Sequence, residues 1–389
     1  MEELEPYRLS AIRSGLEERA PGLYRDDGGR RWAAVCEHDR WAVELVPGLL
    51  NLKTPHLAAL GPRLYVVADA GAWKIFGRQC KSYLAHWNID YGLSVLSGGE
   101  GVKSLSVVEG IVRDLDKAGA GRDQVIVALG GGATLDVVGV VAQGYRRGVP
   151  WVRVPTTLIG AIDAGVGLKV GVNVGTAKNR VGGYCPSLIT YVDPGLIATS
   201  RPEDIAGGFA EALKIGLVRD ARIVGWLEAH AEGLRAWRGE RDTPMQRVIE
   251  WSIDAMLTEL QANPREADRR RLSDYGHAVG PLLERRANIR HGDGVAVDMA
   301  LMWHVATERG HMSPEGRERL LDLAGRLGIP TTHPALTPEL LADGLAEVVR
   351  QRGGNQHLPL PDDRGGPVQW GEDVEAGELA HAAAWLASR

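Results

Sequence analysis

One stretch constrains this chain more than any other: Val125-Ile126-Val127-Ala128-Leu129 runs straight into Gly130-Gly131-Gly132 and resumes as Ala133-Thr134-Leu135-Asp136. A short apolar run ended by glycines and followed by an apolar-periodic segment reads as a buried parallel strand, a tight turn and the start of a helix. Two readings of the glycines stay open. They let a backbone approach a pyrophosphate, whose charge the amides and the helix N-terminus then stabilise, or they only make the turn. The pattern is GGGATLD and not GxGxxG.

The same alternation extends on both sides. Leu64 to Asp69 reads as a strand ending in an acid, Leu93 to Leu96 as another, and Ser106 to Ala118 as a helix. Strands and helices in alternation predict a doubly wound parallel sheet. Residues 1–60 read as an irregular, charged opening around the apolar stretch Trp41 to Val46. After Asp193-Pro194 the texture changes, because 202–236, 243–262 and 293–309 carry apolar residues at helical spacing and β-branched runs become scarce. The expectation is an α/β Rossmann-like domain over 1–197 followed by an all-helical domain over 198–389. Pro359 to Pro367 reads as a loop before a final helix. A chain of 389 residues is long enough for two such cores.

Charge and composition exclude several classes. A net charge of −5 with no basic block argues against a nucleic-acid binder. The first residues, MEELEPYRLS, lack the apolar core of a secretory signal, and no apolar run is long enough to span a bilayer. Three cysteines without a CxxC pair point to a reducing cytoplasm. Of the 45 basic side chains only eight are lysine. Arginine therefore supplies nearly all the solvated positive charge, and each lysine is worth locating.

Three groups of residues could carry chemistry. Glu100 and Lys103 follow Gly98-Gly99 one helical turn apart, fit either for a cofactor contact or for a surface ion pair. Of the 54 residues from 130 to 183, 13 are glycine, so backbone packs closely around Asp163, Lys169, Lys178 and Asn179. Ammonium groups among small residues suit phosphate oxygens; a flexible surface loop is the other reading. Glu211, in GGFAEALK with Lys214 one turn later, joins His277 in DYGHAVGP and His291 in IRHGDGVAVDM. Two histidines and a carboxylate leave an open position on a zinc ion, though each histidine alone also reads as an ordinary half-buried one.

Taken together, the motifs GExxK at 99–103, GGGxxxD at 130–136, YRRG and PTTL within 145–158, Dx5K with KN within 163–179, and GFAExLK with GH and HG within 208–292 occur in one order. In that order they resemble the dehydroquinate synthase superfamily, the sugar phosphate cyclases. The resemblance implies NAD contacts from Asp69, Glu100, Lys103, Gly131, Gly132, Asp136, Thr156, Thr157, Lys178 and Thr199. It implies Zn²⁺, or Co²⁺, on Glu211, His277 and His291. Asp163, Lys169, Asn179, Lys214 and Arg270 would line the substrate, and Arg147 would reach the phosphate of a neighbouring subunit in a homodimer.

Three departures bear on the substrate. Dehydroquinate synthases have Asn where this chain has Asp274, a second His where it has Pro281, and a substrate-carboxylate Lys where it has Met256. Losing that ammonium removes charge an anionic acid needs. With ELQxNP at 259–264 and RGGNQHLPLP at 352–361, the set Leu260, Asp274 and His357 resembles the branch that cyclises sedoheptulose 7-phosphate to 2-epi-5-epi-valiolone. The resemblance implies an NAD- and metal-dependent carbon–oxygen lyase with a small-molecule substrate, feeding aminocyclitol products. Its rivals are a sister cyclase giving 2-epi-valiolone or desmethyl-4-deoxygadusol, a 3-dehydroquinate synthase, a metal-dependent polyol dehydrogenase and a catalytically silent NAD-binding protein.

Overall fold

The computed structural model describes residues 17–389 except 21–22, 27, 30, 36–39, 176, 241–242 and 367. The charged extreme N-terminus, read above as no secretory signal, lies outside these residues. The rest of the opening, expected to be irregular, forms strands instead: β1 (Glu17–Ala20), β2 (Leu23–Arg25), β3 (Arg31–Val35) and β4 (Arg40–Leu45). They pair antiparallel in sequence order. The expectation failed because β4 finds its second partner far along the chain, pairing Ala42 with Ile189 in parallel register. Trp41, fully buried, donates its indole N–H to the Val166 carbonyl at 2.9 Å.

From Arg63 onward strands and helices alternate as the hydrophobic pattern predicts. The order is β5 (Arg63–Asp69), α1 (Ala70–His86), β6 (Asp90–Leu96), α2 (Leu105–Lys117), β7 (Val125–Gly130), α3 (Gly132–Gly144) and β8 (Trp151–Pro155). A separate hairpin, β9 (Lys169–Val174) and β10 (Ala177–Tyr184), precedes β11 (Ile189–Val192). The segment offered above as a flexible loop is thus ordered hairpin and strand. The main sheet runs β1-β2-β3-β4-β11-β8-β7-β5-β6, and its strands from β4 to β6 in that order are parallel.

Alternation along the strands fills both faces of the sheet. Leu64, Val66, Ala68, Val125, Val127 and Leu129 enter one apolar layer with Phe76 and Tyr83 of α1. Tyr65, Val67, Ile126 and Ala128 enter the other, under Ile111 and Leu115 of α2 and Leu135 and Val138 of α3. Helices on both faces make this the doubly wound α/β layer expected.

After a single turn at Pro194–Ile197 the chain is helical: α4 (Pro202–Val218), α5 (Ala221–Ala236), α6 (Pro244–Ala262), α7 (Gly280–Ala287), α8 (His291–Glu308), α9 (Pro314–Leu327), α10 (Pro338–Gln351) and α11 (Ala376–Ala387). Pro202, Pro281, Pro314 and Pro338 sit in first turns, where a missing N–H leaves no bond unmade. Ser313 and Thr337 cap α9 and α10. The tail expected as a loop carries a short antiparallel pair, β12 (Leu358–Leu360) and β13 (Gln369–Gly371).

Contacts divide the chain into two compact units, Met1–Ser200 with Met256–Arg265, and Arg201–Ala255 with Glu266–Arg389. In the second, α4 and α8 are buried on nearly all sides and form its interior. Among the described residues no helix is long and apolar enough to cross a membrane.

Candidate active site

Glu211, His277 and His291 come together in the second unit, with one ligand atom of each within 4.8 Å of the others. They meet because two interior helices cross at glycines. A Cβ on Gly292 would lie 2.3 Å from the Gly207 Cα, so only glycine lets α4 and α8 touch backbone to backbone. Glu211 stands one turn beyond Gly207 on α4, and His291 directly precedes Gly292. His277 follows a tight turn at Leu272–Asp274.

Each histidine is oriented by a partner on its other nitrogen, as metal-ligating imidazoles are. His277 Nδ1 lies 3.0 Å from the Tyr275 carbonyl, so it carries the proton and Nε2 is an acceptor. His291 Nδ1 contacts Glu284 at 2.9 Å while its Nε2 lies 3.2 Å from Glu211. The His291 side chain is 38% exposed, which leaves the cluster open to a ligand.

Electrostatics fit a divalent cation. Lys214 Nζ lies 2.5 Å from Glu211 Oε2, yet both Glu211 oxygens are buried without a well-aligned hydrogen bond. Burial raises the Glu211 carboxyl, but the Lys214 charge and His291 outweigh it and hold the group below the usual carboxylate range. Burial and the same ammonium push His277 down to about 4, leaving a neutral imidazole at neutral pH. Burial lowers His291 as well, but Glu284 and Glu211 prevail and raise it to about 10; two carboxylates there favour positive charge. An ionised carboxylate, two oriented imidazoles and an open side are the donor set of a catalytic zinc site.

In the first unit the glycine run ends β7 and opens α3 with Gly131 as its N-cap. A Cβ on Gly131 would meet Thr157 at 3.2 Å, and one on Gly132 would meet Ala164 at 3.3 Å, so this backbone packs against the turn at Gly160–Ala164 that carries Asp163. Thr156 donates its N–H to the Gly130 carbonyl at 2.9 Å. Lys103, buried, pairs with Asp136 at 2.6 Å. Burial raises the Asp136 carboxyl against the pull of that lysine.

Asn173, which sequence reasoning missed, ties this region together. Its amide donates to Glu100 at 2.9 Å, its carbonyl oxygen accepts the Asn179 N–H at 2.9 Å, and its own N–H donates to the Lys103 carbonyl at 2.8 Å. Lys178 Nζ lies 3.8 Å from Glu100. The only signal was a polar residue inside the valine-rich strand KVGVNV. Asp69 and Thr199 are engaged locally: Asp69 caps α1 through the Gly71 and Ala72 N–H groups, and the Thr199 hydroxyl donates to the Leu196 carbonyl. Lys169 is exposed at the start of β9, and Arg147 is exposed on a left-handed backbone.

A third set joins Asp274, His357 and Arg270 in the second unit. The Asp274 carboxylate accepts from Arg271 at 2.7 Å and lies 3.2 Å from Arg352. Arg352 also donates to the His357 carbonyl at 2.9 Å. His357, itself at φ +45°, contacts Glu372 through Nδ1 at 2.7 Å, and Glu372 accepts from Arg270 at 3.1 Å. Glu372 carried no sequence signal, because its partners His357 and Arg270 lie 15 and 102 residues from it in the chain, and Arg352, though it opens RGGNQHLPLP, was not singled out.

Residues 93–206 match the family model described as 3-dehydroquinate synthase N-terminal, and residues 208–350 the one described as 3-dehydroquinate synthase C-terminal. The chain belongs to the dehydroquinate synthase family. Within that family it is 40% identical over 369 residues to a 2-epi-5-epi-valiolone synthase of Actinomyces sp, spanning 91% of this chain and 97% of that protein. Its fold matches ValA, a 2-epi-5-epi-valiolone synthase from Streptomyces hygroscopicus subsp. jinggangensis 5008 with NAD+ and Zn2+ bound. The TM-score there is 0.87 at 38% identity, covering 92% of this chain and 99% of that one. A 2-deoxy-scyllo-inosose synthase complexed with carbaglucose-6-phosphate, NAD+ and Co2+ shares the fold at a TM-score of 0.76 and 22% identity, over 89% of this chain and 97% of that one.

The three departures singled out from the dehydroquinate synthases each have a structural setting. Met256 is buried on α6, where an ammonium would need a partner for its charge. Pro281 lies in the first turn of α7. Asp274 supplies the negative charge that Arg271 and Arg352 require, which a neutral Asn would not.

Proposed function

We propose that this chain is an NAD- and Zn²⁺-dependent sugar phosphate cyclase, a carbon–oxygen lyase that converts sedoheptulose 7-phosphate to 2-epi-5-epi-valiolone and phosphate. The observation that carries this reading is the relatives of that name matched over most of both chains. Glu211, His277 and His291 would hold Zn²⁺, or Co²⁺ in its place. Gly131, Gly132, Thr156, Thr157 and Thr199 would receive NAD with Asp69, Glu100, Lys103, Asp136 and Lys178. When bound, Zn²⁺ would supply a Lewis acid that lowers the pKa of a ring hydroxyl, and NAD would supply a reversible hydride acceptor.

The remaining roles belong to side chains. Lys169 and Asn179 bind the phosphate, which leaves by elimination: a ketone makes the C–H on its neighbouring carbon acidic, the substrate's own phosphate takes that proton, and the next carbon's bond to the phosphate oxygen breaks as the C=C forms. Lys214 and Asp163 order hydroxyls, and Arg270, Asp274 and His357 shape the sugar end. Holding the opened chain so that its two ends meet gives the ring-closing aldol step a large effective molarity. We place the chain in the cytoplasm as a homodimer in which Arg147 reaches the neighbouring subunit's phosphate. A reducing compartment suits Cys80, whose buried thiol is pushed up to about 12 and stays unreactive.

The test is incubation of the purified protein with sedoheptulose 7-phosphate, NAD⁺ and Zn²⁺. Phosphate release without net NADH, and a cyclitol identified by NMR as 2-epi-5-epi-valiolone, is the expected result. A different stereoisomer or desmethyl-4-deoxygadusol would overturn the product but keep the cyclase. Turnover of the keto-acid phosphate used by dehydroquinate synthase, or steady NADH accumulation with a polyol, would overturn the reading itself.

A further inference from the structure

The three candidate metal ligands stand on separate pieces of backbone, and one buried carboxylate outside the cluster joins two of those pieces. Asp298 is 0% exposed and lies seven residues after His291, two turns along the same face of α8. Its Oδ2 accepts the N–H groups of Val279 and Gly280, each at 2.7 Å. Those amides close the turn that carries His277 and open α7. One turn into α7 stands Glu284, whose carboxylate holds His291 Nδ1 at 2.9 Å.

The constraints therefore form a closed ring. It runs from Asp298 to the start of α7, along α7 to Glu284, across to His291 and back down α8 to Asp298. Glycines make the ring small enough to close. A Cβ on Gly280 would lie 2.8 Å from the Gly294 carbonyl oxygen and 3.3 Å from Asp298 Oδ2, and one on Gly294 would lie 2.7 Å from Glu284 Cγ. The helices α7 and α8 thus meet backbone to backbone where the carboxylate sits. Nothing in the proposed chemistry uses Asp298, and burying a carboxylate has no benefit to a helix end that a Ser or Thr cap would not supply.

We propose that Asp298 is a positioning residue for the metal centre, fixing the His277 turn and the Glu284 helix in register with His291. The proposal rests on the reading that Glu211, His277 and His291 hold a divalent cation. Asp298 touches neither cation nor substrate; it sets where two ligands stand.

The test uses the full chain stripped of metal, with Zn²⁺ affinity measured by competition against a chromophoric chelator and the Co²⁺ ligand-field spectrum recorded separately. Asp298→Asn is expected to weaken Zn²⁺ binding about 10- to 100-fold, the range for partners of metal-ligating histidines, and to alter the Co²⁺ spectrum. Glu284→Gln is expected to do the same, and the double variant to lose less than the two single losses combined, because both act through one ring. Leu379→Ala, a buried change on α11, should lower Tm without touching Zn²⁺ affinity. If Asp298→Asn lowers Tm as Leu379→Ala does while Zn²⁺ affinity and the Co²⁺ spectrum stay those of the parent, the residue is merely structural and the proposal fails. Should Asp298→Asn not fold, Gly294→Ala, which presses on Glu284 and leaves the carboxylate in place, decides: weakened Zn²⁺ binding supports the ring, unchanged binding overturns it. A parent protein that binds no cation at all would instead remove the metal-site reading on which this rests.

Discussion

Scarcity of lysine is where the residue scale is most informative, because four of the eight lysines, Lys103, Lys169, Lys178 and Lys214, stand at candidate site positions. Lys103 and Lys214 are buried against carboxylates, each a compact point charge on a flexible stem. Removing one partner of such a pair strands the other. Lys103→Ala is expected to lower stability by about 3 kcal/mol and to abolish NAD binding, whereas Lys103→Ala with Asp136→Asn should recover part of the stability but none of the binding. Urea unfolding and NAD titration check this; a double variant no more stable than Lys103→Ala would show that the stranded Asp136 charge is not what costs the stability. A second prediction concerns pH. Burial raises the Asp298 carboxyl from 3.8 to about 6, so the folded state holds that proton more tightly than the unfolded one. The stability this contributes is full at low pH and is lost as pH rises through about 6. Measured on metal-free protein, the parent should lose up to about 3 kcal/mol relative to Asp298→Asn across that window; a constant gap between the two would refute it. Residues with motif neighbours, such as Glu211 in GFAExLK, were legible in the sequence. Asn173, Glu284, Asp298 and Glu372 were not, since what each does depends on a partner that only folding brings near.

At the scale of elements, periodicity identified β5, β6, β7, α2, the start of α3 and the helical stretches 202–236 and 243–262, because each buries a face whose period is local; it left α1, β8 and β11 unread and β9 and β10 inside a stretch also open to a loop reading. It failed for β4, whose parallel partner β11 lies far off in sequence, and for β12 and β13, which are three residues each. What no period announces is the crossing of α4 and α8, which depends on one glycine in each helix. Gly292→Ala would set a methyl 2.3 Å from the Gly207 Cα and 2.8 Å from its carbonyl oxygen. Backbone cannot yield as a side chain would, so the helices must part, carrying Glu211 away from His291. We expect Zn²⁺ affinity to fall at least about tenfold together with a lower Tm. The comparison is Gly225→Ala on α5, where a Cβ would meet nothing within 4 Å and helix propensity favours alanine by roughly 0.5–1 kcal/mol. Zn²⁺ titration and thermal melts of both variants check the claim, and it falls if Gly292→Ala binds Zn²⁺ as the parent does.

For the whole molecule, the change of texture after Asp193-Pro194 made a two-part chain legible, but the assignment of Met256–Arg265 to the first unit was hidden, since α6 reads as one continuous helix. The remaining question at this scale is whether one chain makes a complete site. Arg146 and Arg147 occupy consecutive left-handed conformations at φ +50° and +69°, a backbone cost of order 1–3 kcal/mol per residue that persists where the surroundings require it. Arg147 is exposed there, where it is free to serve a neighbour. If it completes the phosphate site of a second copy, Arg147→Ala and Lys169→Ala each inactivate every site in their own homodimers. In a mixed dimer both changes fall on one site and the other is intact. Unfolding and refolding an equimolar mixture should then restore about a quarter of parental phosphate release, given two equivalent sites and random pairing. Restoration marks Arg147 as acting across the dimer, and a mixture as inactive as its components means that the arginine serves its own chain.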